Sequence, residues 1–172
     1  MRKIFVSVFF VLFAFAFTQT ANAVNVSSVS YFQGLYASGG LQTVDMTKSI
    51  TFSYSVRLGD SGNNLNMTVN LGGYALSFIG GSSPSGNGGQ MNVKNSNLTF
   101  ISGGIMFSAN TASSAGGAIY NDTSSTLNFT DVEANFTSNS SVYYGGAIVN
   151  YRADINFTGS TVSFANNSVT IS

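Results

Sequence analysis

The sequence repeats one pattern with a period of 29 and then 28 residues. Three copies open at Leu98, Leu127 and Ile155, each with an apolar residue, a polar residue and Phe. Phe-x-x-Asn begins seven residues after that Phe, and Gly-Gly-Ala-Ile follows in the first two copies. A period of this size indicates stacked coils, blades or arrays. The recurring positions are Phe107, Asn110, Gly116 and Gly117, then Phe136, Asn139, Gly145 and Gly146, and finally Phe164 and Asn167.

The content of one repeat predicts the fold. The second copy has three strand-like pieces, at residues 126–130, 132–137 and 147–151, separated by turn residues. No helical stripe is present after residue 23. Three short strands in 28 or 29 residues suit one coil of a parallel β-helix, whereas a propeller blade needs four strands and about 40 residues. The sequence therefore predicts an all-β, right-handed parallel β-helix.

Parallel stacking turns each recurring residue into a ladder, because equivalent residues of successive coils lie about 4.8 Å apart. The apolar ladders are expected inside the coils, where loss of one Phe side chain costs roughly 3–5 kcal/mol. These ladders are Phe100, Phe129 and Phe157; Phe107, Phe136 and Phe164; and Ile119 with Ile148.

The polar and Gly positions are expected at corners. Asn tolerates the left-handed backbone that a sharp corner needs, and stacked amides can bond along a row; a ligand site is the alternative for the Asn row. The Gly pairs reach positive φ without a clash and suit a second corner. A phosphate-binding loop would need glycines that open a helix, with a Lys close by. Here the glycines open a strand, and no Lys follows Lys94.

The first 23 residues have the form of a secretory signal peptide. Two basic residues precede an apolar run at residues 4–17, and Ala21 and Ala23 have the small side chains that a signal peptidase reads. An uncleaved anchor is the alternative, but this run is shorter than the roughly 20 residues that span a bilayer. We therefore expect cleavage after Ala23 and no membrane span in the mature chain.

The mature chain divides at a loop rich in Gly and Ser, residues 80–90. Residues 24–90 are predicted to be an irregular entry segment that caps the β-helix, and residues 91–172 to be the repeats. In the entry segment, residues 50–58 alternate between apolar and polar side chains across one strand. A second alternating run, residues 65–71, either forms an antiparallel hairpin with the first or lies on the next side of a coil.

Composition excludes several classes of function. The mature chain has no His and no Cys, so zinc and thiol chemistry lack their usual ligands. It carries four basic and six acidic residues, a net charge of −2, and has no basic footprint for nucleic acid. We predict no catalytic residue, no metal site and no cofactor.

The only acids in the repeats are Asp122, Asp131, Glu133 and Asp154. Asp131 and Glu133 are two residues apart on one predicted strand and could share a face, as the acids of β-helical polysaccharide-cleaving enzymes do. Neither acid recurs in the neighbouring copies, so a solvated edge is the preferred interpretation.

The two motifs, Gly-Gly-Ala-Ile at residues 116–119 and 145–148 and Phe-x-x-Asn beginning at Phe107, Phe136 and Phe164, resemble the repeats of chlamydial polymorphic outer membrane proteins. The resemblance covers residues 98–172. It implies an autotransporter-like passenger: exported, β-helical and displayed at the cell surface or outer membrane as an adhesin or antigen. The family carries many repeats, whereas the third copy here stops one residue before its Gly pair, so we expect a truncated fragment.

The expected function is that of an exported surface or secreted, adhesin-like, non-enzymatic protein. Its expected partners are a host-cell or other surface receptor and further copies of itself. Two alternatives remain open at this point: a β-helical carbohydrate-active enzyme and a self-associating structural surface protein.

Overall fold

The computed structural model describes residues 24–30, 40–58, 64–84 and 86–171. The predicted signal peptide lies outside these residues. All strand pairs in the described part are parallel, and the strands stack as a β-solenoid. The strands are β1 (Val24–Val26), β2 (Gly40–Met46), β3 (Ile50–Phe52), β4 (Val56–Leu58), β5 (Leu65–Asn70), β6 (Ala75–Ile79), β7 (Ser82–Ser83), β8 (Met91–Val93), β9 (Asn97–Ser108), β10 (Thr111–Ala112), β11 (Ile119–Asn121), β12 (Thr126–Thr137), β13 (Ser140–Ser141), β14 (Ile148–Asn150), β15 (Asp154–Thr158), β16 (Thr161–Ala165) and β17 (Ser168–Val169).

Each regular coil passes through four faces. Face 1 contains β1, β2, β5, the first halves of β9 and β12, and β15. After a bend inside the long strands, face 2 contains β3, β6, the second halves of β9 and β12, and β16. Face 3 contains β7, β10, β13 and β17, and face 4 contains β4, β8, β11 and β14. The all-β parallel solenoid predicted from the sequence is therefore confirmed.

The prediction of one strand across residues 50–58 is wrong. The run is split into β3 on face 2 and β4 on face 4, because the chain turns at residues 53–55. The two alternating runs do not form an antiparallel hairpin. β5 instead pairs in parallel with β2 and β9, so the runs lie on successive sides of the coil.

Regular coils begin before the predicted boundary at residue 90. β4 pairs with β8, and β5 and β6 pair with the two halves of β9, so the sheets continue through the predicted loop. Gly88 and Gly89 lie 28 residues before the first Gly pair, and Met91 pairs with Ile119. The coil that precedes the recognised repeats is therefore a diverged copy of them.

The core contains the predicted Phe ladders, extended toward the N-terminus and packed among buried Val, Leu, Ile and Met side chains. On face 2, five rings stack with centroid separations of 4.7 to 5.1 Å. On face 1, Phe100, Phe129 and Phe157 stack at 5.4 and 4.9 Å. Rings in the inner coils are fully buried, whereas those of the last described coil are partly exposed. The face 2 stack consists of Phe52, Phe78, Phe107, Phe136 and Phe164.

The coil turns at positions that have left-handed backbone in successive copies. Three of these rows accept residues other than Gly. They are Asn95, Ser124 and Arg152 between faces 4 and 1; Ser102, Asp131 and Gly159 at the bend between faces 1 and 2; and Ala109, Ser138 and Asn166 between faces 2 and 3. The fourth row, between faces 3 and 4, contains Gly88, Gly116 and Gly145.

The corner between faces 4 and 1 differs in length among the recognised repeats. It has three residues at 94–96, four at 122–125 and three at 151–153. This difference accounts for the change in period from 29 to 28, and the strands themselves keep their register.

Replacing Ala109 by Gly should raise the free energy of unfolding by about 0.5–1 kcal/mol. Ala109 is exposed and has φ of 53°, and it has no side-chain hydrogen bond to lose. Ala165→Gly is the matched control, since this exposed strand residue is not among the left-handed positions and should lose about 0.5–1 kcal/mol. Urea titrations followed by circular dichroism measure both changes, and equal signs would contradict the assignment.

Candidate functional site

The Asn row points into the coil between faces 2 and 3. Asn110 and Asn139 are completely buried. The Asn110 side-chain amide donates to the Asn139 Oδ1 at 2.9 Å, and the Asn139 amide donates to the Asn167 Oδ1 at the same distance. Each amide also donates to a Phe carbonyl of the preceding coil, as Asn139 does to Phe107 at 3.0 Å. The row is therefore a continuous hydrogen-bonded ladder inside the solenoid.

Of the two predicted reasons for Asn at this corner, bonding between stacked amides is confirmed, and left-handed backbone at the Asn itself is wrong. The left-handed residue is the one before each Asn, namely Ala109, Ser138 and Asn166. The side-chain oxygen of Asn139 accepts the backbone N–H and the side-chain amide of Asn110, while its own amide makes two donations. All four hydrogen-bonding positions of Asn139 are used inside the fold, which leaves none for a ligand.

The two glycines of each pair have different roles. Gly116 has φ of 67°, and a Cβ there would lie 2.2 Å from the Ile119 carbonyl oxygen. Gly117 is not among the left-handed residues, but its Cβ would lie 2.1 Å from the Gly146 carbonyl oxygen of the next coil. The first Gly serves the turn and the second allows the coils to approach, so neither is available to cradle a phosphate.

A second Asn pair, formed by buried Asn121 and exposed Asn150, was not predicted from the sequence. Asn121 donates to the Asn150 Oδ1 at 2.7 Å and to the Asp154 carbonyl at 2.8 Å, at the end of face 4. The sequence contains a pattern that could have revealed this pair, because the two Asn residues are 29 apart and each lies five residues after the left-handed Gly of a Gly pair.

The four acids of the repeats do not converge. Glu133 is exposed and accepts a hydrogen bond from Asn135 at 3.1 Å, and Asp131 is exposed at the bend between faces 1 and 2. Asp122 accepts from its neighbour Thr123 and lies 4.0 Å from the Lys94 Nζ. Within the four described ranges, no three His, Cys, Asp or Glu residues are grouped to hold a metal ion.

The outer surface carries a groove of about 450 Å³ that crosses successive coils at the corner between faces 3 and 4. One wall comes from the positions just before the Gly pairs, where the Gly116 N–H donates to the Tyr144 carbonyl. The other wall comes from the outward row of face 4 and its end. We call this the tyrosine groove; its walls are Asn87, Ala115 and Tyr144 on one side and Tyr120, Val149 and Tyr151 on the other.

The groove is nearly uncharged. Burial raises the pKa of Tyr120, and the nearby Asp122 and Tyr151 raise it further, so the Tyr120 hydroxyl keeps its proton at neutral pH. The Arg152 guanidinium lies 5.2 Å from the centroid of the Tyr151 ring at the rim. None of the described side chains that line the groove is charged, and Asp122, which acts on Tyr120, is itself near the Lys94 Nζ.

Comparison of the chain with known protein families, with characterised proteins and with solved structures gave no match. In the part of the chain that the structure describes, no helix is long and apolar enough to cross a membrane.

Proposed function

We propose that this protein is an exported surface or secreted, non-enzymatic, adhesin-like protein of the autotransporter-passenger type. The observation that carries the proposal is that both recurring motifs occupy corners of one continuous β-solenoid, with equivalent residues in register. This is the architecture that the resemblance to chlamydial polymorphic outer membrane proteins implies. A rigid stack of this kind presents its outer residues in fixed rows, which suits binding to another surface.

The distribution of chemical groups favours binding over catalysis. The Asn and Gly rows that recur in the sequence are used in the interior and at tight corners. Asp131 and Glu133, the strongest candidates for acid–base chemistry, lie on the exposed side of β12 and do not line the tyrosine groove. The walls of that groove offer apolar and hydrogen-bonding surface without a carboxylate.

The export step of the proposal predicts a mature chain that begins at Val24. The basis is the short apolar run followed by Ala21 and Ala23. The full chain should be expressed in a Gram-negative host and the exported fraction sequenced from its N-terminus. Ala23→Lys is the control, because a long basic side chain at the cleavage position should block processing. Recovery of unprocessed wild-type chain from the membrane fraction would contradict the prediction.

The adhesion step is tested with beads coated with the mature chain and applied to cultured epithelial cells. Native chain should retain the beads on the cells, whereas heat-unfolded chain should not. Equal retention by both preparations would show that the solenoid is not the binding element and would overturn the proposal.

A further inference from the structure

The tyrosine groove is a built feature of the solenoid. Tyr144 lies directly before the left-handed Gly145, and Tyr120 is held in register with Val149 in face 4. Gly145 packs tightly against the opposite wall, since a Cβ on Gly145 would lie 2.5 Å from a methyl group of Val149. The two walls are therefore fixed by parallel strand pairing and by a tight corner, and not by mobile loops.

The groove combines aromatic faces with groups that both donate and accept hydrogen bonds. Tyr120, Tyr144 and Tyr151 supply rings, and their hydroxyls have no hydrogen-bond partner among the described residues. Asn87 and Ser114 also line the groove, and their side chains add an amide and a hydroxyl group. Its volume falls within the range of about 300–1,000 Å³ that is typical of sites for small ligands.

We propose that the tyrosine groove binds a short, uncharged oligosaccharide. Sugar rings have an apolar C–H face that packs on an aromatic ring and a rim of hydroxyls that donate and accept hydrogen bonds, which matches an amphipathic tyrosine. The absence of charged side chains from the described lining of the groove suits a neutral ligand.

A proline-rich peptide is the closest competing occupant, because such segments also dock in aromatic-lined grooves. Its backbone carbonyls accept hydrogen bonds but its prolines donate none. The tyrosine hydroxyls and the Asn87 and Ser114 side chains offer acceptors as well as donors. A ligand with hydroxyl groups uses both kinds, so the observations favour the saccharide.

The inference rests on the proposed function, since it names the class of receptor that an adhesin-like surface would engage. The purified mature chain should be screened on an array of neutral oligosaccharides that includes cellotetraose, chitotetraose, maltotetraose and galactose-terminated tetrasaccharides. Dissociation constants should then be measured by NMR titration, with deca-proline as the competing probe. We expect at least one tetrasaccharide to bind and to shift the ring resonances of Tyr120 and Tyr151.

Tyr144→Ala should weaken this binding about tenfold or more, because it removes one aromatic wall. Tyr144 is 69% exposed, so its truncation should leave the circular dichroism spectrum and melting temperature unchanged. Tyr143→Ala is the matched control: this neighbour is 54% exposed but does not line the groove, and binding should stay within about twofold.

Two outcomes would overturn the inference: no oligosaccharide on the array binds, whether or not deca-proline does, or Tyr144→Ala binds as tightly as wild type. Neither of these results depends on export. Failure of sugar binding would therefore leave the adhesion result standing, and retention of the chain inside the cell would count against the proposed function alone.

Discussion

Phe136→Ala should lower the free energy of unfolding by about 3–5 kcal/mol. The Phe136 ring is fully buried and stacks between Phe107 at 5.1 Å and Phe164 at 4.9 Å. Truncation removes the transfer free energy of the ring and leaves a cavity that the parallel strands on either side cannot close, because their register fixes the spacing. Urea titration of the mature chain, followed by far-ultraviolet circular dichroism, gives the change.

Two control variants separate burial from simple loss of a side chain. Phe164→Ala removes the same ring at a position that is 56% exposed, and it should cost about 1 kcal/mol or less. Glu133→Ala alters the exposed side of the strand that contains Phe136 and should stay within about 0.5 kcal/mol. If either control costs as much as Phe136→Ala, the assignment of inner and outer residues is wrong.

Asn139→Ala should also be severely destabilising, by about 3 kcal/mol or more. The substitution removes the acceptor for the backbone N–H and side-chain amide of Asn110, and the donor to the Phe107 carbonyl. These groups lie in the interior, where an unpaired polar atom bears its full desolvation cost. The same urea titration measures the loss.

Asn156→Ala is the matched control for the ladder. Asn156 also donates to an Asn of the neighbouring coil, at 2.9 Å to the Asn128 Oδ1, but it is exposed on the outer side of face 1. Water replaces the lost partner there, so the change should stay within about 0.5 kcal/mol. Equal costs for Asn139→Ala and Asn156→Ala would show that the buried ladder adds nothing to stability.

The repeat period predicted the fold because it reports the geometry of stacking directly. Phe129 and Phe136 each have a Phe at the equivalent position of the preceding copy, so identical rings lie one coil apart. Parallel strand pairing is the arrangement that stacks these rings. The Gly pairs were placed correctly at a corner that opens a strand, since both positive φ and close approach demand Gly there.

The coils before residue 90 were harder to predict, because they keep the coil geometry but not the residues of the two sequence motifs. Gly81 occupies the place of Asn110, and Gln90 occupies the place of Ala118. The tyrosine groove was missed for a related reason. Asn87, Ala115 and Tyr144 are equivalent in position but differ in chemistry, so nothing in the repeat marks them as a wall.

The unequal corner between faces 4 and 1 has a consequence for variation of this protein. One copy has an extra residue at 122–125, and the strand register on either side is unchanged. A difference in length at this turn therefore changes only the turn and leaves the packing of the hydrophobic interior unchanged. The turn is therefore a site where insertions and deletions should be tolerated, and an engineer could insert a foreign peptide there while leaving the paired strands unaltered.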